Sequence, residues 1–269
     1  MCELFAMSSR IPTDARASLT AFARHGGLEA HHEDGWGIAY YADEDVRLVK
    51  DAEPASHSEC MHFLQEHPFT SGVVLSHIRK ATQGSMAMKN CQPFARELGG
   101  RMHVFAHNGD LRFDALRASL PLRSFEPIGE TDSEHAFCAL LERMRPLRRH
   151  GGIAPLHERL AVVARFAASL RSLGPANFIY ADGDALFIHA HRRVQAAGEA
   201  PRPPGLHLLQ RRCAPVQSVV LAASVPLTGE PGWKALREGE LVAVQGGAIV
   251  ANARADVFAP FPGRPKVAA

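Results

Sequence analysis

The feature that most constrains this chain is a pair of glycine-bearing turns set between short β-rich runs. Asp182-Gly183 separates residues 178–180 from 185–190, and Gly246-Gly247 separates 241–244 from 248–251. Glycine enters the positive-φ conformations of tight hairpin turns without a Cβ clash, so each pair is expected to fold back as an antiparallel hairpin. Further β-rich runs fall at 2–6, 37–41 with 46–49, 73–77, 102–106 and 218–222. Helical patterns fit 14–25 ahead of Gly26, 59–66 ahead of Pro68, 132–145, and 156–173 ahead of Gly174. Hairpins with flanking helices predict an α+β protein in which helices cover sheets.

At 269 residues, 46% of them hydrophobic, the chain can bury a substantial core. Residues 1–251 are expected to form one domain, and 252–269, with three prolines, a tail that wraps the surface or stays disordered. The proline- and glycine-rich stretch 195–205 is expected to be an exposed connection or a lid.

The second residue is a cysteine. If Met1 is removed, the thiol and a free α-amino group belong to one residue. An amine with an ordinary pKa of about 8 can take the thiol proton near neutral pH and release the reactive thiolate. A free cysteine is more often a small buried hydrophobe, so other residues must decide. Four segments bear on it: His31-His32-Glu33-Asp34-Gly35-Trp36-Gly37-Ile38-Ala39, Ser76-His77-Ile78-Arg79-Lys80-Ala81-Thr82-Gln83-Gly84, Ala106-His107-Asn108-Gly109-Asp110 and Gly129-Glu130-Thr131-Asp132-Ser133-Glu134. Each puts polar groups at the end of a strand or the start of a helix, where sites are built.

Together with the Met-Cys-Glu-Leu start, these motifs resemble, in order, those of the class II glutamine amidotransferases, most closely the short stand-alone YafJ-like branch of the N-terminal-nucleophile hydrolases. The resemblance covers most of the chain and implies a four-layer α-β-β-α sandwich. It implies that Cys2 attacks the side-chain amide of glutamine to form a γ-glutamyl thioester, with the Asn108 side chain and the Gly109 N–H as oxyanion donors. Arg79 would hold the substrate α-carboxylate through its planar guanidinium, and Asp132, at a helix start, the α-ammonium. Thr82 and Trp36 are further binding candidates, Trp36 either as a pocket wall or as core, while Asp34 could hold a turn. Ile78 and Lys80 stand where many relatives carry threonine and an aromatic residue. The residues alone leave plainer readings open: Asn108-Gly109 as a hairpin turn, and Thr131-x-x-Glu134 as a capping box.

Other classes find little support. With 30 basic and 28 acidic residues the net charge of +2 gives no nucleic-acid face. The cluster Arg143, Arg145, Arg148 and Arg149 sits at a helix end, where basic residues are usually solvated. Cysteines 2, 60, 91, 138 and 213 form no C-x-x-C pair and no disulfide framework is expected. His57, His62 and His67 rotate to different faces of a helix, and His189 with His191 are too few for zinc, so no metal and no cofactor is expected. The N-terminus has no apolar leader and no stretch reaches the roughly 18 apolar residues of a membrane span, so a cytoplasmic protein without membrane contact is expected. The expected partners are L-glutamine or a related γ-glutamyl amide and an ammonia-accepting protein. The alternatives are an amidohydrolase of a γ-glutamyl amide other than glutamine, and a non-catalytic glutamine-binding regulatory subunit.

Overall fold

The computed structural model describes residues 2–29, 32–147, 152–196 and 198–261. The chain runs through β1 (Glu3–Asp14), α1 (Arg16–Arg24), β2 (Trp36–Ala42), β3 (Asp45–Asp51), α2 (Glu59–Glu66), β4 (Thr70–Ile78), β5 (Phe94–Glu97), β6 (Met102–Gly109) and α3 (Phe113–Ser119). It continues through α4 (Asp132–Met144), α5 (Leu156–Arg171), β7 (Ala176–Ala181), β8 (Leu186–His189), β9 (His207–Ala214), β10 (Gln217–Ala223), β11 (Lys234–Ala235), β12 (Glu240–Gln245) and β13 (Ala248–Arg254).

The strands form two antiparallel sheets, of seven in the order β11-β9-β10-β1-β4-β2-β3 and of six in the order β13-β12-β8-β7-β6-β5. Both expected hairpins are present, β7 to β8 and β12 to β13. Alternation along each strand sorts the apolar side chains into three cores. Leu4, Ala6, Leu75, Val104, Ala106, Ile188 and Ala222 fill the space between the sheets. Phe5, Met7, Ile38 and Val74 face the other way, against Leu19 and Phe22 of α1 and Met61 and Leu64 of α2. Phe105, Phe178 and Phe187 meet Phe137 of α4 and Phe166 of α5 on the far side of the second sheet. The order of layers is therefore α-β-β-α.

Several elements depart from the sequence expectation. β1 continues to Asp14 because its end pairs with Thr70 beyond a register shift after Ser8, which delays α1 to Arg16. β9 was not expected: Leu208 and Leu209 are both buried and the polar run Gln210-Arg211-Arg212 follows, so no alternation marks it. The seven-residue α3 was likewise too short to show a period. The expected boundary at residue 251 falls inside β13; Ala255 is fully buried, and Phe258 and Phe261 pack on the α4–α5 core. Arg143 lies over the Phe261 ring at 5.3 Å and donates to the Ala139 carbonyl, so it is a packing residue. Arg148 and Arg149 lie outside the described residues, as do 262–269 of the tail. No helix among the described residues is long and apolar enough to cross a membrane.

Phe105 is the hub of the second outer core, with ring centroids 5.4, 6.3 and 5.6 Å from Phe137, Phe166 and Phe178. Phe105→Ala is expected to lower unfolding free energy by about 3–5 kcal/mol in urea titrations; a loss below about 1 kcal/mol would show that this core is not what holds α4 and α5 to the sheet.

Candidate active site

Three strands deliver polar side chains to one end of the space between the sheets. Leu4 and Ala6 of β1 face that space, so Cys2 shares their side. Ala106 of β6 and Ala222 of β10 face it too, which brings in Asn108 and Ser224. The contacts agree: the Ser224 hydroxyl accepts from the Leu4 N–H at 3.0 Å and from Asn108 Nδ2 at 3.3 Å. Glu3 pairs with Ile78, which sets Cys2 beside Arg79 and Lys80.

Cys2 Sγ lies 3.3 Å from both the N–H and the carbonyl of Lys80. The residue keeps some exposure. Burial nonetheless pushes its thiol up from the ordinary range, the Lys80 backbone and the Arg79 charge pull it back in part, and the Asp132 charge pushes it up again. The thiol therefore needs a proton acceptor to become a nucleophile near neutral pH.

Asn108 and Gly109 are not a hairpin turn; they close β6 in register with Asn177 and Ala176 of β7. Asn108 is fully buried, and its carbonyl accepts from Asn177 Nδ2 at 3.0 Å. A Cβ at position 109 would stand 1.9 Å from the Pro175 carbonyl oxygen and 2.5 Å from His107 Nε2, so only glycine lets the strand come this close. One residue earlier, Gln92 brackets the His107 peptide, accepting from its N–H at 2.7 Å and donating to its carbonyl at 3.2 Å.

Arg79 is 3% exposed. Its guanidinium donates to the carbonyls of Asp34 (3.2 Å), Gln83 (2.9 Å) and Gly84 (3.1 Å). The Asp34 side chain holds the same loop by accepting from the Ala81 N–H at 2.7 Å. Asp132 opens α4 and is 4% exposed. It accepts from the Leu111 N–H (2.8 Å), the Ser133 N–H (2.8 Å) and the Ser133 hydroxyl (3.3 Å). A helix start was expected to favour its charged form, but burial outweighs this and raises its pKa, against the pull of the His107 and Leu111 contacts. Thr131 is the helix cap, accepting from Glu134 N at 3.3 Å. Glu134 does not return the bond; it accepts from Ile128 and Gly129 and pairs with Arg96 at 2.6 Å.

Trp36 is not brought to the Cys2 side. It shares a strand face with Ile38 and Tyr40, packed against α1 and α2, which makes it core and not pocket wall. Thr82 is exposed on the loop after Arg79.

Sequence reasoning missed the supports behind these residues. Besides Gln92, Asn177 and Ser224, a buried charge network runs behind β1: Glu3 meets His25 Nδ1 at 2.6 Å and Arg193 at 3.8 Å, and Arg193 donates to the Ser224 carbonyl at 2.9 Å. His77, opposite Leu4, is fully enclosed. Burial pushes its pKa down to about 3, so it is neutral. The only sequence signal for these residues is an isolated polar residue at or beside an apolar run.

The sequence model of the class-II glutamine amidotransferases matches residues 1–266. The chain is 36% identical over 250 residues to YafJ of Escherichia coli (strain K12), assigned by name to the glutamine amidotransferases, covering 89% of this chain and 96% of that one. A Haemophilus influenzae protein assigned likewise is 32% identical, over 94% of this chain and 87% of its own. A crystal structure of a Pseudomonas aeruginosa protein, also assigned to the glutamine amidotransferases, superposes with a TM-score of 0.68 at 30% identity, covering 93% of this chain and all of that one. The glutamine phosphoribosylpyrophosphate amidotransferase of Bacillus subtilis shares the fold, with a TM-score of 0.61 at 17% identity over 94% of this chain and 49% of that one.

The Glu3–His25 pair has a defined pH signature. The hydrogen bond to Glu3 raises the His25 pKa against its partial burial, from an ordinary 6.5. Burial pushes Glu3 up, but His25 and the neighbouring cations outweigh it and hold Glu3 below 4.5. The histidine contribution is complete below pH 6.5 and is lost as pH rises through the raised value; the Glu3 contribution is complete above 4.5 and is lost as pH falls through the lowered one. His25→Asn is therefore expected to cost about 2 kcal/mol near pH 5.5 and less than half of that near pH 9, in paired urea titrations. An equal cost at both pH values would show that the pair is not ionic.

Proposed function

This chain belongs to the class-II glutamine amidotransferases, and on that premise we propose that it hydrolyses the side-chain amide of L-glutamine to glutamate and ammonia through a thioester on Cys2. What supports the reading is that the Leu4 N–H, two residues after Cys2, and the Asn108 side chain share the Ser224 hydroxyl, while the pairing of Glu3 with Ile78 sets Arg79 next to Cys2. After removal of Met1, the Cys2 α-amine takes the thiol proton that burial otherwise retains, and the thiolate attacks the amide carbon. The oxyanion of the tetrahedral intermediate is met by the Asn108 side-chain amide and the Gly109 N–H, donors worth about 10²–10³ in rate each. Collapse expels ammonia, which carries away the proton held by the amine, and water then releases glutamate by the same route.

Recognition of the amino-acid end falls to two charges. The guanidinium of Arg79 exchanges its Gln83 and Gly84 carbonyl partners for the α-carboxylate, a stronger acceptor. Asp132 has two bonds on Oδ1 and one on Oδ2, which leaves a lone-pair position on Oδ2 for the α-ammonium. That positive charge also opposes the upward push that burial gives the Asp132 pKa. Thr82 is assigned to the rim of this pocket. The ammonia passes to a protein partner or to solvent.

Intact mass before and after incubation with a diazo-ketone analogue of glutamine tests the reading: loss of Met1 and one adduct on Cys2 are expected, and retained Met1 with no adduct would favour a non-catalytic glutamine-binding subunit. Loss of Met1 with no adduct, joined to turnover of another γ-glutamyl amide, would reassign the substrate. Cys2→Ala is expected to abolish turnover, and near-normal ammonia release from it would overturn the mechanism. Arg79→Lys is expected to raise KM for glutamine about 10- to 100-fold, the loss of one or more bonds to a charged group; an unchanged KM would remove Arg79 from substrate binding.

A further inference from the structure

The two orientations of the Asn108 terminal amide are not equivalent, and the difference falls on Ser224. With Nδ2 toward Ser224, as in the structure, the Ser224 oxygen receives two donors, Asn108 Nδ2 at 3.3 Å and the Leu4 N–H at 3.0 Å. Asn108 Oδ1 is then buried with no donor among the described residues. A buried amide oxygen without a donor is costly, on the order of 1–3 kcal/mol. It also turns the amide oxygen, and not the N–H groups, away from Ser224. A half-turn of the amide, which interchanges two atoms of nearly equal size, gives the oxygen a donor and makes the Nδ2 protons the unmet groups, the arrangement that an oxyanion donor requires. The Ser224 hydroxyl then donates its proton to Oδ1 while still accepting from Leu4, and both protons of Nδ2 turn away from Ser224.

We infer that Ser224 is a positioning residue: its hydroxyl holds the Asn108 amide with the oxygen turned back and the N–H groups turned toward the reacting carbonyl. The inference rests on the oxyanion role proposed for Asn108. Ser224 is itself 1% exposed and fixed at both backbone groups, its N–H on the Leu4 carbonyl at 3.0 Å and its carbonyl on Arg193 Nη1 at 2.9 Å. Its hydroxyl therefore joins the strand that carries Cys2 to the strand that carries Asn108, in different sheets. Nucleophile and oxyanion donor are registered against each other through a single side chain.

Ser224→Thr and Ser224→Val add the same branched bulk and differ in the hydroxyl, so their comparison isolates it. With glutamine as substrate and folding checked by thermal unfolding, Ser224→Thr is expected to keep kcat within about threefold of the unaltered enzyme. Ser224→Val and Ser224→Ala are expected to lose about 10- to 100-fold in kcat, with KM within about twofold, because the group acts on the transition state. In an Asn108→Ala background, Ser224→Ala should change kcat by less than twofold, since the two residues act as a unit. Equal kcat for the Thr and Val variants, or a Ser224→Ala loss that persists in full without Asn108, would overturn the assignment while leaving the amidase reading in place. The Ala pair decides the matter if the branched variants do not fold. Absence of turnover by the unaltered enzyme on glutamine and on other γ-glutamyl amides would overturn the amidase reading and this inference with it.

Discussion

The backbone ladder that holds β1 between β4 and β10 carries the rest of this structure. Chain termini usually fray, yet residues 3–9 are buried almost without interruption, and Leu4, Phe5 and Ala6 are fully enclosed. Pairing on both edges satisfies the strand's polar backbone, and its two faces feed two different cores, Leu4 and Ala6 inward, Phe5 and Met7 toward α1 and α2. Cys2, the proposed nucleophile, thus leads directly into a strand buried on both faces. Its neighbours are set by register: Ile78 opposite Glu3 brings Arg79, and the β10 pairing brings Ser224.

The second sheet supplies the complementary half under equal constraint. The end of β6 is gripped by Gln92 at His107, by Asn177 at Asn108 and by Pro175 at Gly109. Where a site must stabilise a short-lived charge, donors fixed beforehand avoid the reorganisation that flexible ones would need. Burial is what gives this arrangement its electrostatic character. It raises the pKa values of Cys2 and Asp132 and lowers that of His77, shifting each group toward its neutral form.

Legibility in the sequence followed the strength of local signals. The hairpins at Gly183 and Gly246-Gly247 were visible because positive φ is nearly a glycine property. The helix 59–66 was placed to the residue, ahead of Pro68. β9 and α3 were invisible, one for want of alternation and the other for want of length. The C-terminal stretch from 252 looks like a tail because it carries three prolines, yet Ala255, Phe258 and Phe261 pack into the core of α4 and α5. Trp36 resembles a pocket residue because its motif does, and only the face of β2 assigns it to the core.

What the sequence by itself determined is the chemistry on offer and its order along the chain: a cysteine at position 2, Arg79, Asn108-Gly109 and Asp132, each at the end of a β-rich or helical run. Local pattern and motif order suffice for that, since a motif states which atoms are available and roughly which element carries them. Only the tertiary structure decided which of those atoms meet and how they are held. Cys2 and Asn108 are 106 residues apart in sequence, at the ends of strands in different sheets; Ser224, just past β10, joins Asn108 to Leu4 of the strand that follows Cys2, and Glu3, His25 and Arg193 brace the arrangement from behind. Contacts of such separation depend on strand order, register and the stacking of two sheets, which no window of neighbouring residues encodes.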